Sequence, residues 1–173
     1  MKKIIAAFAV TFALVMSCKT KNTDEKRLEL TFESKSGSQT TGTASFVERD
    51  GKVIFNANLQ GLTPGTHAIH IHEKADCSAP DGSSAGGHWN PTHENHGKWG
   101  SASYHKGDIG NFNVDSNGNG TVSMTTDEWC IGCGDPKKDI LGKSLIVHEK
   151  ADDFKTQPTG DAGGRMACSA IIR

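Results

Sequence analysis

The chain carries no block of lysine and arginine, and that absence takes nucleic acid off the list of expected partners. No segment keeps the 3.6-residue apolar period of a long helix, and no internal repeat is present, so helical bundles and solenoids are excluded. The one long apolar run, Ile4–Met16, is too short for a membrane-spanning helix. Paired carboxylates are missing as well. Glu48, Glu73 and Glu94 are candidates for hydrolytic chemistry taken singly, but nothing pairs them as acid and base.

What the N-terminus does have is Met1-Lys2-Lys3 ahead of that apolar run, the charged and apolar parts of a secretory signal over residues 1–17. With Lys2 and Lys3 gone, 17 basic and 20 acidic side chains remain, a net charge of −3 with histidine neutral. Five cysteines, Cys18, Cys77, Cys130, Cys133 and Cys168, are an odd number for an exported chain. Cys18 follows Val15-Met16-Ser17 and resembles a bacterial lipobox, in which cleavage leaves a lipidated cysteine at the new N-terminus. The expected location is therefore the bacterial cell envelope, with a membrane-anchored lipoprotein facing the periplasm or exterior. The other reading is a signal cut elsewhere, with Cys18 incidental. Residues 18–26 are polar and charged, a flexible tether. Setting Cys18 aside leaves four cysteines, enough for two disulfides in an oxidising compartment.

Residues 27–173 are expected to form one domain. Leu28, Leu30 and Phe32 alternate with Glu29, Thr31 and Glu33; Val53, Phe55, Ala57 and Leu59 alternate with Ile54, Asn56 and Asn58. Asp50-Gly51 between two such runs predicts a hairpin. Phe112 and Val114 precede a dense turn cluster, Asp115 to Gly120, with Val122 and Met124 beyond it; Leu145–His148 and Met166–Ile172 give the last strands. The count is about eight strands, an antiparallel sandwich or barrel. Two segments, Glu73 to Gly107 and Glu149 to Gly164, are rich in turn residues and read as long loops, which in a compact domain are usually functional.

Histidine collects in the first of these loops and on the strand just before it. Seven of the eight histidines fall between His67 and His105. His70 and His72, two apart on a strand, share one face, and Ile69 and Ile71 take the other. His88, His96, His105 and Asp108 follow at gaps of 8, 9 and 3 residues, and His148 stands near the C-terminus. An all-nitrogen set suits copper, and three histidines with a carboxylate suit zinc. His93 reads as a solvated loop residue. Trp89 and Trp99 read as packing for the loop.

Taken with Gly86-Gly87-His88, His105-Lys106-Gly107-Asp108, Val147-His148-Glu149-Lys150-Ala151-Asp152-Asp153 and Gly163-Gly164-Arg165-Met166-Ala167-Cys168, these residues make the chain resemble the copper/zinc superoxide dismutases of the bacterial exported kind. The resemblance implies an eight-stranded antiparallel Greek-key β-barrel with two long functional loops. It implies copper bound by His70, His72, His88 and His148, and zinc bound by His88, His96, His105 and Asp108. His88 would be an imidazolate shared by one copper and one zinc per chain, able to take a proton while copper is reduced. Asp152 would tie a copper ligand to a zinc ligand, His70 to His96. Cys77 and Cys168 would form a disulfide, and Arg165 would stand beside the copper and attract the superoxide anion as substrate. His67 would be a hydrogen-bonding residue near the site, and Lys150 and Lys155 would help draw the anion in. The implied activity is dismutation of superoxide to oxygen and hydrogen peroxide. Its rivals are a metal-binding protein of the same fold without turnover and a copper-only relative; the presence of His96, His105 and Asp108 opposes the latter. Dimers and monomers both fit, with a homodimer favoured.

Cys130-Ile131-Gly132-Cys133 departs from the common family pattern. It lies in a Gly-rich loop with no βαβ context for a redox site. A structural disulfide is favoured; free thiols and auxiliary copper binding stay open.

Overall fold

The computed structural model describes residues 25–173, so the expected signal, Cys18 and the tether up to residue 24 lie outside the described residues. The first strand already opens at Lys26, the last position of the expected tether.

Eight strands follow the alternation in the sequence: β1 Lys26–Ser34, β2 Thr41–Arg49, β3 Lys52–Gln60, β4 Gly65–His72, β5 Gly110–Val114, β6 Gly120–Thr126, β7 Lys143–His148 and β8 Arg165–Ile171. Among the described residues the only helical element is a 3-10 turn at Ser83–Ala85. All strand pairings are antiparallel, and the strands close into a barrel in the order β1-β2-β3-β6-β5-β4-β7-β8. The crossings β3 to β4 and β6 to β7 are Greek-key connections.

Closure is uneven. β2 and β3 pair over their whole length from Thr41↔Gln60 to Arg49↔Lys52. β5 meets β6 only through Val114↔Gly120, and β1 meets β8 only through Glu33↔Cys168 and Ser34↔Ala167. The barrel therefore behaves as two four-stranded sheets face to face, with the core between them. The hairpin joining β2 and β3 turns at Asp50-Gly51, both in the left-handed region with φ of 52° and 74°. That conformation matches the right-handed twist of the strands and is tolerated by Asp and Gly.

Inward positions supply the core: Leu28, Leu30 and Phe32 from β1, Val53, Phe55, Ala57 and Leu59 from β3, Ile69 and Ile71 from β4, Leu145 and Val147 from β7. Phe46 stacks on Phe55 with ring centroids 4.9 Å apart, and Trp129 from the β6–β7 loop meets both edge-on. Trp129, Ile131 and Ile140 are buried in the same core, so the β6–β7 loop is anchored from within. Trp89 also joins the core, while Trp99 packs against it from the first long loop and contacts Tyr104 and Trp129.

That loop, between β4 and β5, is tied to β8 by a disulfide between Cys77 and Cys168, 91 residues apart in sequence. Cys168 is fully buried against Ala85 and Ile146. A cross-link over so long a segment restricts the unfolded chain and should contribute roughly 3–5 kcal/mol. Cys77→Ser with Cys168→Ser is thus expected to shift the denaturation midpoint of the metal-free protein strongly. Cys130 and Cys133 are also joined, three residues apart. Replacing that pair should barely move the midpoint, and equal shifts for the two double variants would contradict the chain-entropy account.

Candidate metal centre

The site begins with the alternation of β4. Ile69 and Ile71 enter the core, which forces His70 and His72 onto the outer face, where the long loops bury both completely. His148 ends β7 at a register shift that follows Val147. His88 reaches β4 from the first loop through an isolated bridge to His72. The next residue secures it: Trp89 N–H donates to Ile71 O (2.8 Å), Gly107 N–H to Trp89 O (3.0 Å), and Ile71 N–H to Gly107 O (2.9 Å). Gly107 has to be glycine, because a Cβ there would lie 2.1 Å from Ile71 O.

Two donor sets result, each with its donor atoms within 4.8 Å of one another: His70, His72, His88 and His148, and His88, His96, His105 and Asp108. His88 belongs to both. Its Nδ1 lies 2.8 Å from Asp108 Oδ1 on the side of the second set, and its Nε2 is buried with no hydrogen-bond partner on the side of the first.

Outer hydrogen bonds decide which nitrogen of each ring keeps a lone pair. Asp152 accepts from His70 Nε2 through Oδ2 and from His96 Nε2 through Oδ1, both at 2.9 Å, so one carboxylate joins the two sets. The opposite nitrogens, His70 Nδ1 and His96 Nδ1, are buried and unpartnered. His72 Nδ1 donates to Gly86 O at 2.9 Å, which leaves its Nε2 facing His148 Nε2 at 3.3 Å. His105 Nε2 donates to Glu94 O at 3.1 Å, and its Nδ1 has no partner. His96 Nδ1 and His105 Nδ1 stand 2.9 and 3.3 Å from the Asp108 carboxylate without hydrogen-bond geometry. Such lone pairs converge on a common point, as ligands do. The donors present therefore fit a nitrogen-bound copper in the first set and a three-nitrogen, one-carboxylate zinc in the second.

Charge follows the same division. Burial, then neighbouring histidines, push His72 and His148 well below the ordinary imidazole range, and burial with His70 takes His88 down to about 3. These rings are neutral and offer lone pairs. Burial opposes charge on His96 too, but Asp108 and Asp152 outweigh it and hold the ring up at about 9, so a metal binding at Nδ1 has to displace a proton. For both carboxylates burial alone would raise the pKa; bonds from His88 Nδ1 and the His105 N–H to Asp108, and from His70 and His96 to Asp152, hold them well below the usual range.

Arg165, half-buried at the start of β8, donates from Nη1 to Gly82 O and from Nη2 to Gly86 O, both at 2.8 Å. Gly86 O thus joins the guanidinium to His72, and the Arg165 charge is among the causes that lower both His72 and His148. His67 holds the frame: its Nδ1 lies 2.9 Å from His148 O and its Nε2 2.8 Å from Thr63 O. Lys150, Lys155 and His93 are exposed. Glu48 bonds Ile131 N–H and Lys26 instead of another carboxylate.

Three supporting residues escaped the sequence reading. Asn111 on β5 clamps the Asp152 backbone with two bonds, Nδ2 to Asp152 O (2.9 Å) and Asp152 N–H to Oδ1 (2.8 Å). Gln157 does the same for His96, with Oε1 and Nε2 each 2.9 Å from its backbone, and so stitches the second loop to the first. Neither amide could be told from any other in the sequence. Gly160, with φ +71°, passes so close over the Asp152–His96 contact that a Cβ would lie 1.9 Å from Asp152 Oδ1. A glycine within the second loop was the available signal for such an approach.

Comparison with known proteins bears on this geometry. The family described as copper/zinc superoxide dismutase (SODC) matches residues 40–171. Superoxide dismutase [Cu-Zn] 2 of Aquifex aeolicus is 35% identical over 134 residues, 75% of this chain and 78% of its own. The superoxide dismutase-like protein YojM of Bacillus subtilis is 38% identical over 144 residues, 73% of each chain. A solved structure of a mutant SOD-like protein from Bacillus subtilis superposes with a TM-score of 0.74 at 31% identity, covering 84% of this chain and 97% of the other.

Proposed function

The chain belongs to the copper/zinc superoxide dismutase family, and on that footing we propose that it converts two superoxide anions to oxygen and hydrogen peroxide with one copper and one zinc per chain. The observation that carries the reading is His88, one ring turned toward both donor sets, with Arg165 joined to the first set through Gly86 O. Copper, when bound, supplies one-electron redox chemistry, and zinc supplies charge and geometry without redox chemistry. Each residue then has a defined task. His70, His72 and His148 present oriented nitrogens. Arg165 attracts and aligns the anion. His88 holds or releases a proton at Nε2, and Asp152 keeps the two sets in fixed relation. Lys150 and Lys155, exposed on the second loop, add positive charge whose pull on the anion weakens with salt.

The test is metal content together with superoxide loss, with and without cyanide. One copper and one zinc per chain and rapid cyanide-sensitive loss are expected. Both metals bound without superoxide loss would instead establish a metal-binding protein of the same fold.

The enzyme sits on the cell envelope through a lipid on Cys18. Two facts support this reading. The other four cysteines are joined in two pairs, and Cys18 stands just past the apolar run, after Ser17. Several acyl chains make such attachment stable where one is marginal. Cys18→Ser is expected to release an active soluble enzyme or leave an uncleaved precursor. Mass spectrometry of native protein that begins downstream of Cys18 and carries no acyl group would refute the anchor.

A further inference from the structure

The β6–β7 loop holds a second cluster of metal-binding atoms that shares no residue with the histidine sets: Cys130, Cys133 and Asp139, with donor atoms within 4.8 Å of one another. Two features set the cysteine pair apart from Cys77–Cys168. Cys130 is buried but Cys133 is exposed, so one sulfur is open to attack. Hydrogen bonds hold the loop in addition to the sulfur bond. Asp139 accepts Gly132 N–H and Gly134 N–H at 2.9 and 2.8 Å, Cys130 N–H donates to Lys138 O (2.9 Å), and Ile140 N–H donates to Cys130 O (3.1 Å). Ile131 is locked between Glu48 and Lys26 through its N–H and carbonyl at 2.7 and 2.9 Å, while Trp129 and Ile140 anchor the flanks in the core. Cations stand near this loop, as Lys35 stands at Cys77 O beside the other disulfide. Lys26 holds Ile131 O, and Arg173 lies so near Gly132 that a Cβ there would be 2.6 Å from its Nη2. Their positive charge favours thiolate and works against the Asp139 carboxylate in the same cluster.

We propose that Cys130 and Cys133 form a reversible dithiol–disulfide pair whose reduced form binds one monovalent copper ion through both sulfurs, beside Asp139 and apart from the histidine sets. The opening step consumes an external dithiol. Its thiolate attacks exposed Cys133 Sγ, the Cys130–Cys133 bond breaks, and Cys130 leaves as a thiolate that takes a proton. The second thiol of the reductant attacks the mixed disulfide, which frees Cys133 as a thiol, and the reductant departs as its own disulfide. Two electrons and two protons have reached the pair. Because the backbone bonds persist, both sulfurs stay side by side. Soft thiolates select monovalent copper, which displaces their protons.

The experiment uses the mature protein with its histidine sets loaded. Limited dithiothreitol should open Cys130–Cys133 before Cys77–Cys168, as read by alkylation and peptide mass. Monovalent copper delivered anaerobically from a competing chelator should then add one copper per chain relative to the oxidised protein, with a sulfur-to-copper absorption band. The Cys130→Ser/Cys133→Ser variant should gain none, with its copper and zinc in the histidine sets unchanged. The proposal fails if the reduced protein gains no copper, if the variant gains it equally, or if the pair resists dithiol until Cys77–Cys168 also opens. None of these readings uses superoxide, so the outcome is separate from that of the activity assay.

Discussion

His88→Ala is expected to remove superoxide activity altogether and to weaken both metals at once. Every other ligand serves one set, and His88 alone serves two. Its loss takes one of four donors from each. It also leaves the Asp108 oxygen that faced His88 Nδ1 at 2.8 Å without that partner in a buried setting. Changes to groups that merely hydrogen-bond a ligand typically cost 10–100-fold in metal affinity, so losing a ligand from both sets should cost more than about 100-fold in each. The comparison that isolates the shared role is His105→Ala, which removes a donor from the second set only. That variant should lose zinc while keeping copper. Metal content after dialysis, with electron paramagnetic resonance of the copper, reads both effects. If His88→Ala kept one metal at full affinity, or if the spectrum of the loaded parent gave no sign of a shared ring, the two sets would be independent sites.

How much of this was legible in the sequence depends on where the information lay. The strand pattern was plain because a half-buried strand must alternate, and the Asp50-Gly51 turn was plain because few residue pairs tolerate two left-handed positions. His70 and His72 could be placed on one face by the same period of two, and the buried Ile69 and Ile71 show the other face as expected. The long loops gave up their histidines and Asp108 through spacing, since metal ligands are few and chemically distinctive. What stayed hidden was the scaffolding between loops. Asn111 and Gln157 act through side-chain amides on main-chain atoms of Asp152 and His96, 41 and 61 residues away. No local rule links such partners before the fold brings them together. The buried β6–β7 loop was hidden for a related reason. Trp129, Ile131 and Ile140 enter the core from a segment whose Gly, Asp and Lys content reads as solvated.

Arg165→Ala is expected to leave copper and zinc in place while lowering the second-order rate with superoxide by roughly 10–100-fold. A hydrogen bond to a charged group is worth about 1.5–3 kcal/mol, and each 1.4 kcal/mol is about a factor of ten. The guanidinium has five N–H donors, and Gly82 O and Gly86 O take one each, which leaves others for an incoming anion. Arg165→Lys should recover part of the rate, because the charge survives and the planar fork does not. Salt gives a second reading. Attraction between a partly exposed charge and an anion is screened as ionic strength rises, so the parent and Arg165→Lys should slow with salt and Arg165→Ala should slow less. The same two carbonyl bonds also brace the first loop, so a rate loss alone would not separate attraction of the anion from damage to the site. Metal content and thermal midpoint make that separation. If Arg165→Ala sheds copper, or if Arg165→Lys falls as far as Arg165→Ala with an unchanged salt slope, Arg165 braces the loop instead of receiving the substrate.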